Sequence, residues 1–158
     1  MAELESILSE HPFFDRIDPI YLRILGGCAS EASFKAGDVI FRQGEEAVRF
    51  YLIREGRVAL EFFSSAREAI TIETISEGDI LGDSWLFPPY LCHCDARARE
   101  ATRAIAFNAG CLRGICDDDH DLGFELMKRF SEIMVKRLQA AMLQCVDIYR
   151  APAKGRRP

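Results

Sequence analysis

Gly37-Asp-Val-Ile-Phe-Arg-Gln-Gly-Glu45, Phe50-Tyr-Leu-Ile-Arg-Glu-Gly56 and Gly78-Asp-Ile-Leu-Gly-Asp83 are the stretches that decide the fold. Each joins a short apolar run to one or two glycines, and each glycine suits a tight corner where φ is positive or two backbones meet closely. Working outward, residues 30–109 carry further β-prone runs at Val58–Phe63, Ala69–Ile75 and Ala104–Phe107, besides Val39–Phe41, Phe50–Ile53 and Ile80-Leu81. Turn signals separate them: Lys35-Ala-Gly-Asp38, Gly44-Glu45, Arg54-Glu-Gly-Arg57 and Ser76-Glu-Gly-Asp79. Many short strands at such spacing predict an all-β barrel or jelly roll. Gly37-Asp38 and Gly78-Asp79, each ahead of an apolar dipeptide, hint at two related halves.

Helical periods flank this region. Within 1–29, Leu4, Ile7 and Leu8 precede His11-Pro12-Phe13-Phe14, and a second helix spans Asp18–Cys28, with Asp18 as N-cap and Pro19 at its first position. Leu22 and Leu25 supply its apolar face. Within 110–150, Met127, Phe130, Met134, Leu138, Ala141, Cys145 and Ile148 recur every three or four residues, and Leu126, Ile133, Ala140 and Met142 widen the stripe. About 30 residues at 1.5 Å each give a helix of about 45 Å, more than the roll needs as cover. It either lies along the core or pairs its far half with a second subunit; the expectation is a homodimer through 120–149. The tail 151–158 is basic and proline-bearing, and is expected to be disordered.

Composition bounds the function. The 158 residues carry a net charge of −5, which argues against nucleic acid as the main partner. No apolar run approaches the length of a membrane span, and Met1-Ala-Glu-Leu-Glu-Ser has no basic, then apolar, leader pattern. The expectation is one cytoplasmic domain over 1–150, with no membrane partner and with six reduced cysteines (Cys28, Cys92, Cys94, Cys111, Cys116, Cys145). No Ser-His-Asp or Cys-His grouping has a supporting context, so the chain reads as not an enzyme.

The three glycine-framed stretches, with helices on both sides, resemble the cyclic-nucleotide-binding domain family. The likeness covers nearly the whole chain and implies a mainly β fold with flanking helices: an eight-stranded β-roll with N-terminal helices and a long C-terminal helix. It is similar in outline to the sensory half of the catabolite activator protein and to kinase regulatory subunits. The implied ligand is cAMP or cGMP, with no certain cofactor. Gly82-Asp83 stands where the family has a Gly-Glu pair: the glycine amide points at the cyclic phosphate and the acid accepts from the ribose. Ser84-Trp85-Leu86-Phe87 follows as the short helix of that cassette.

Two departures qualify the implied site. Counting back from Arg97-Ala98 places the family's phosphate-binding arginine at Cys92, with His93 beside it, so the bidentate charged contact is missing. The adenine-contacting pair that follows a segment like Arg137-Leu138-Gln139 falls on Ala141 and Met142, which cannot specify a base by hydrogen bonding; Met142 can pack on a ring. The run from Asp83 through Pro88-Pro89-Tyr90 to Thr102-Arg-Ala-Ile-Ala-Phe107, extended by Cys111-Leu-Arg113 and Glu125-Leu-Met-Lys-Arg-Phe130, resembles a bacterial set of short stand-alone members without a DNA-binding module. Those relatives carry an arginine where Leu91 stands and aromatics at Cys92 and Cys94. The site expected from the resemblance is therefore Gly82, Asp83, Ser84, Trp85, Cys92, His93, Arg137 and Met142. Its function is that of a regulatory sensor signalling to a separate downstream protein. The alternative is a degenerate roll that binds no nucleotide and serves as a dimeric interaction scaffold.

Cys92-His93-Cys94 invites a metal reading, but a Cys-x-Cys pair gives two ligands at most, short of the four of a closed zinc site, and Cys28, Cys111, Cys116 and His120 are partners only if the fold brings them near, so no metal is expected. On a strand, both thiols would face inward as core filler and His93 outward. Asp117-Asp-Asp119 reads as an acidic start to the long helix. Arg97, Arg99 and Arg103 read as a solvated stripe along one strand face. A third reading, a thiol-based sensor, requires a reactive Cys92.

Overall fold

The computed structural model describes residues 2–63 and 68–150; the expectation for the 151–158 tail lies outside the described residues. Eight strands form two antiparallel four-stranded sheets, ordered β1-β8-β3-β6 and β2-β7-β4-β5. They are β1 (Ala29–Phe34), β2 (Val39–Phe41), β3 (Arg49–Glu55), β4 (Val58–Phe63), β5 (Ala69–Ile75), β6 (Ile80–Leu81), β7 (Asp95–Ala98) and β8 (Thr102–Asn108). Helices α1 (Ala2–Glu10) and α2 (Pro19–Gly26) precede the sheets, and α3 (Ala109–Asp118) and α4 (His120–Arg150) follow. The eight-stranded roll with flanking helices is as expected. β1 and β7 carry weak strand signals, with the sequences ASEASF and DARA. They form because β8 pairs along β1, and β2 and β4 pair along β7.

The glycine frame has a direct backbone cause. Gly37, Gly44, Gly56, Gly78 and Gly82 all have φ between 86° and 97°. The two Gly-Asp turns are copies of each other. In the first, Asp38 N donates to Lys35 O at 3.0 Å, and Lys35 N donates to Asp38 Oδ2 at 2.8 Å. In the second, Asp79 N donates to Ser76 O and Ser76 N to Asp79 Oδ2, both at 3.0 Å. Each turn then clips a strand identically: Gly37 N to Ala98 O and Ala98 N to Asp38 O, against Gly78 N to Ile53 O and Ile53 N to Asp79 O. A left-handed residue and a carboxylate acceptor three positions from its donor are what Gly-Asp supplies. The likeness of the two Gly-Asp segments is thus a likeness of two turns.

Strand alternation divides the apolar side chains into two clusters. Tyr51, Ile53, Val58, Leu60, Leu81 and Ala96 fill the inside of the roll. Phe50, Leu52, Ile105 and Phe107 face the helices and meet Phe13, Phe14, Trp85, Leu122, Leu126 and Phe130. At its centre Phe130 lies edge-on to Phe13 and Phe50, both at 5.0 Å, and to Trp85 at 5.4 Å.

The helix ends follow ordinary capping chemistry. Asp18 Oδ1 accepts from Ile20 N at 3.0 Å, as its N-cap reading requires. The acidic run is apportioned differently from expectation. Asp117 and Asp118 end α3, and Asp119 alone caps the long helix, accepting from Leu122 N at 3.1 Å. A second correction concerns the arginines. Arg97 on β7 and Arg99 just after it flank the buried Glu61 at 3.7 and 3.6 Å, whereas Arg103 belongs to β8, in the other sheet, and meets Glu55 at 3.6 Å.

The cysteines bring a third correction. Cys28 and Cys111 are joined by a disulfide with a Cα separation of 5.8 Å. The expectation of six free thiols fails because two residues 83 positions apart in sequence meet at one corner of the fold. Ala29 pairs with Phe107, Asn108 N donates to Cys28 O, and Asn108 caps α3, in whose first turn Cys111 lies. Cys92, Cys94, Cys116 and Cys145 are free. Among the described residues no helix is long and apolar enough to cross a membrane, and no group of three His, Cys, Asp or Glu side chains is placed to hold a metal ion.

Candidate functional site

The site is built where β6 ends. Gly82 turns at φ 94°, and a Cβ there would touch Arg49 O and Phe50 Cα at 3.5 and 3.6 Å, so strand β3 runs directly behind it. Asp83 leads into a 3-10 turn, Ser84–Leu86, without capping it through its own side chain. The carboxylate is half-buried and faces Arg137, which reaches it from α4 at 3.9 Å. Arg137 also meets Glu73 on β5 at 3.5 Å and donates to the carbonyl of Ile80. One guanidinium thus joins the long helix to both edges of the roll's mouth.

Arg113 secures the back of the cassette. From α3 it donates to Trp85 O at 2.8 Å and lies 4.5 Å over the Tyr90 ring. The loop that follows contains a cis Pro88-Pro89 bond, and Tyr90 has φ 59°. It then runs beside residues 44–47, with Ala47 N donating to Tyr90 O, Cys92 N to Glu45 O, and Gly44 N to Cys92 O. Residues 92–94 are consequently loop and not strand, a correction to the strand reading. The alternation of faces survives: Cys92 is buried, His93 exposed and Cys94 half-buried. Asp95 closes the loop, accepting from Gln43 N at 2.7 Å and facing Arg42 at 3.8 Å.

Electrostatics make the thiols poor nucleophiles. Burial raises the Cys92 thiol, with Glu45 adding to the effect. Burial and the neighbouring Asp83 push Cys94 up to about 11, against a smaller opposing pull from Arg137. Both are neutral at physiological pH, and neutral thiols are unreactive. The thiol-sensor reading therefore loses its chemical basis at these two positions.

The structure brings Asp83 of the Gly82-Asp83 pair against Arg137 at 3.9 Å, with Cys92 in the neighbourhood of Asp83, while Ser84 is buried and the rest are dispersed. Trp85 turns inward and stacks on Phe50 at 5.4 Å, buried in the helical core. His93 faces solvent. Met142 lies on the projecting half of α4 and is 58% exposed. Sequence reasoning did not single out Glu73 or the bracing role of Arg113. Glu73 is one polar residue in a β-prone run, and its partner lies on a helix far along the chain. Arg113 is one basic residue on an amphipathic helix, and only the fold puts it against Trp85.

Comparison with known proteins agrees with this fold. Residues 31–119 match the family model of the cyclic nucleotide-binding domain. A protein of Geobacter metallireducens GS-15 described as cyclic nucleotide-binding has a crystal structure similar to this chain at TM-score 0.76 and 30% identity, covering 85% of this chain and 97% of that one. A cyclic nucleotide-binding domain from Methylobacillus flagellatus KT shares the fold at TM-score 0.78 and 14% identity, covering 96% of this chain and 85% of that one. The CRP-like cAMP-activated global transcriptional regulator of Mycobacterium tuberculosis is 20% identical over 153 residues, which is 97% of this chain and 66% of the regulator. The chain thus spans just under two thirds of that relative's length. With the family model matching more than half of its residues and the eight-stranded roll and long helix both present, the chain belongs to the cyclic nucleotide-binding domain family.

Proposed function

We propose that this chain is a non-enzymatic regulatory sensor that takes a cyclic nucleotide, cAMP or cGMP, at the mouth of the roll and signals through α4. The observation that carries the reading is the Asp83–Arg137 contact at 3.9 Å. The acid in the family's ribose-binding position and the long helix are electrostatically joined. A ligand seated on Gly82 and Asp83 must compete for Arg137 or extend its network, and either changes how α4 is held. That differential contact is what a ligand needs to shift a conformational population.

The output surface is the outer half of α4. Val135, Leu138, Met142, Cys145 and Tyr149 recur at intervals of three and four, and each is exposed. Such a seam pairs helices, which supports a homodimer through 120–149. Against the Cys92 position, where a buried neutral thiol stands in place of a cation, the second reading is a dimeric scaffold that binds no nucleotide.

A melt with and without millimolar cAMP or cGMP decides between them. A ligand at 100 times its dissociation constant adds about 2.7 kcal/mol, or a rise of roughly 5–10 °C for a chain of this size. Trp85, the single tryptophan, adjoins Asp83 and gives a second readout by fluorescence. A rise with one nucleotide supports the sensor; no shift and no fluorescence change with either leaves the scaffold.

A further inference from the structure

Loss of a cation at Cys92 raises the question of which charge would meet an anionic ligand. The arginines around the mouth are mostly engaged. Arg42 faces Asp95, Arg113 is held by Trp85 O and the Tyr90 ring, and Arg137 is shared among Glu73, Asp83 and Ile80 O. Arg49 differs. It is exposed, and among the described residues it has no carboxylate within 4.0 Å.

Its place in the sheet is fixed by register. β3 and β6 pair as Tyr51↔Leu81 and Leu52↔Ile80. The next residue, Gly82, leaves the strand at φ 94° with a Cα hydrogen turned toward Phe50 and the Arg49 carbonyl, so Arg49 sits on β3 beside the start of the Gly82-Asp83 turn. The 3.5 and 3.6 Å approaches of Arg49 O and Phe50 Cα to the Gly82 Cβ position give the closeness of this contact. Side-chain alternation puts Arg49 on the face of Tyr51 and Ile53, which line the inside of the roll. The guanidinium lies beside the Tyr51 hydroxyl, where it opposes the upward effect of burial, and Tyr51 in turn neighbours Cys92.

We infer that Arg49 supplies, from β3, the cationic contact to a nucleotide's cyclic phosphate that Cys92 cannot make. This rests on the reading that Gly82 and Asp83 seat a cyclic nucleotide. Arg49 borders the Gly82 turn, and among the described residues Asp83 is paired with Arg137 and not with Arg49. The acid is left to accept from ribose hydroxyls while the guanidinium, with a rigid fork of donors, meets the phosphate oxygens. The contact comes from a strand in place of the cassette loop, so a buried, neutral residue at position 92 is compatible with binding.

Titration calorimetry of wild type, R49Q and R49K with cAMP and cGMP tests this, at about 0.05 and 0.5 M salt to vary screening. A charged hydrogen-bonding contact of ordinary strength predicts an affinity loss of about 10- to 100-fold in R49Q. R49K, which keeps the charge without the fork, is expected between R49Q and wild type. The wild-type affinity should fall with salt more steeply than that of R49Q, a difference that a purely structural role for Arg49 would not produce. Equal affinity and equal salt dependence in R49Q and wild type overturn the inference and leave the sensor reading standing. Wild type that binds neither nucleotide removes the sensor reading and this inference together. If R49Q unfolds, R49M takes its place, and affinity and salt dependence in R49M equal to those of wild type would then overturn the inference.

Discussion

The two halves of α4 carry the same apolar period and meet opposite fates. In the first half, Leu122, Leu126 and Phe130 are fully buried against the roll and the N-terminal turn. From residue 141 onward every position is exposed, including Met142, Leu143, Val146, Ile148 and Tyr149. Periodicity therefore says which face of a helix is apolar and nothing about what covers it. Burial stops where the roll ends, near Arg137, and the helix continues for about three and a half turns beyond it.

Truncation of the buried half should give the largest effect. Phe130→Ala empties the centre of the Phe13, Phe50 and Trp85 cluster, and a buried phenylalanine replaced by alanine costs about 3–5 kcal/mol. Chemical denaturation would show this as a fall in midpoint with the slope kept. Leu138→Ala, 61% exposed on the same helix, should stay within about 0.5 kcal/mol at concentrations where the chain is monomeric. Similar losses at the two positions would break the comparison.

Leu138→Asp sharpens it from the other side. A charge on an open helix face is nearly neutral, but a charge on a paired seam is costly. If two copies pair through α4, sedimentation of the variant should give the monomer mass at concentrations where the wild type gives twice that mass. Oxidation of the wild type should also link two chains through Cys145, which lies on the same seam as Leu138. A wild type that sediments as a monomer at every concentration would remove the dimer.

Cysteine reactivity extends the comparison to one chemistry in two settings. Cys145 is exposed on the outer half, whereas Cys94 lies half-buried at the mouth with a thiol pushed up to about 11. At pH 7 Cys94 is held as the neutral thiol by burial and by Asp83, whereas an ordinary exposed cysteine is a few per cent thiolate. At concentrations where the chain is monomeric, alkylation followed by mass spectrometry should label Cys145 first, with Cys94 at least about tenfold slower. Rapid labelling of Cys94 would reopen the thiol-sensor reading.

The sequence made the frame legible because the frame is local. A Gly-Asp turn closes within four residues, so Gly37-Asp38 and Gly78-Asp79 announce themselves, and Asp18-Pro19 states its cap in two. What stayed hidden depends on distant pairing. β7 has little strand propensity in Asp-Ala-Arg-Ala and exists because β2 and β4 hold it from both sides. Cys28 and Cys111 meet through the β1–β8 register, and Glu73 meets Arg137 across the mouth. The turn at Gly82 was legible as part of the glycine frame, and its φ is 94°. Trp85 could not be placed in this way, because only the packing shows that it turns away from the mouth toward Phe50.

The smallest expected effect lies under the buried half of α4. His11 opens the 3-10 turn Pro12–Phe14, its Nδ1 accepting from Phe13 N at 3.2 Å, and Arg129 of α4 donates to Phe13 O at 2.6 Å. Burial lowers the imidazole below its usual 6.5, against smaller upward pulls from the Ile53 backbone and Asp79. The unfolded chain then takes up this proton before the folded one does. The contribution of His11 is therefore fully present above pH 6.5 and is lost as pH falls from there through the folded value. His11→Asn keeps an acceptor for Phe13 N and removes the titration. Denaturation of wild type and variant across pH 5 to 7.5, a span of about one unit either side of an ordinary histidine, should show the wild type losing stability faster on the acidic side. Parallel curves would mean that the turn beneath α4 opens to water readily, and that the boundary between the buried and exposed halves of the helix lies nearer its N-terminus than Phe130.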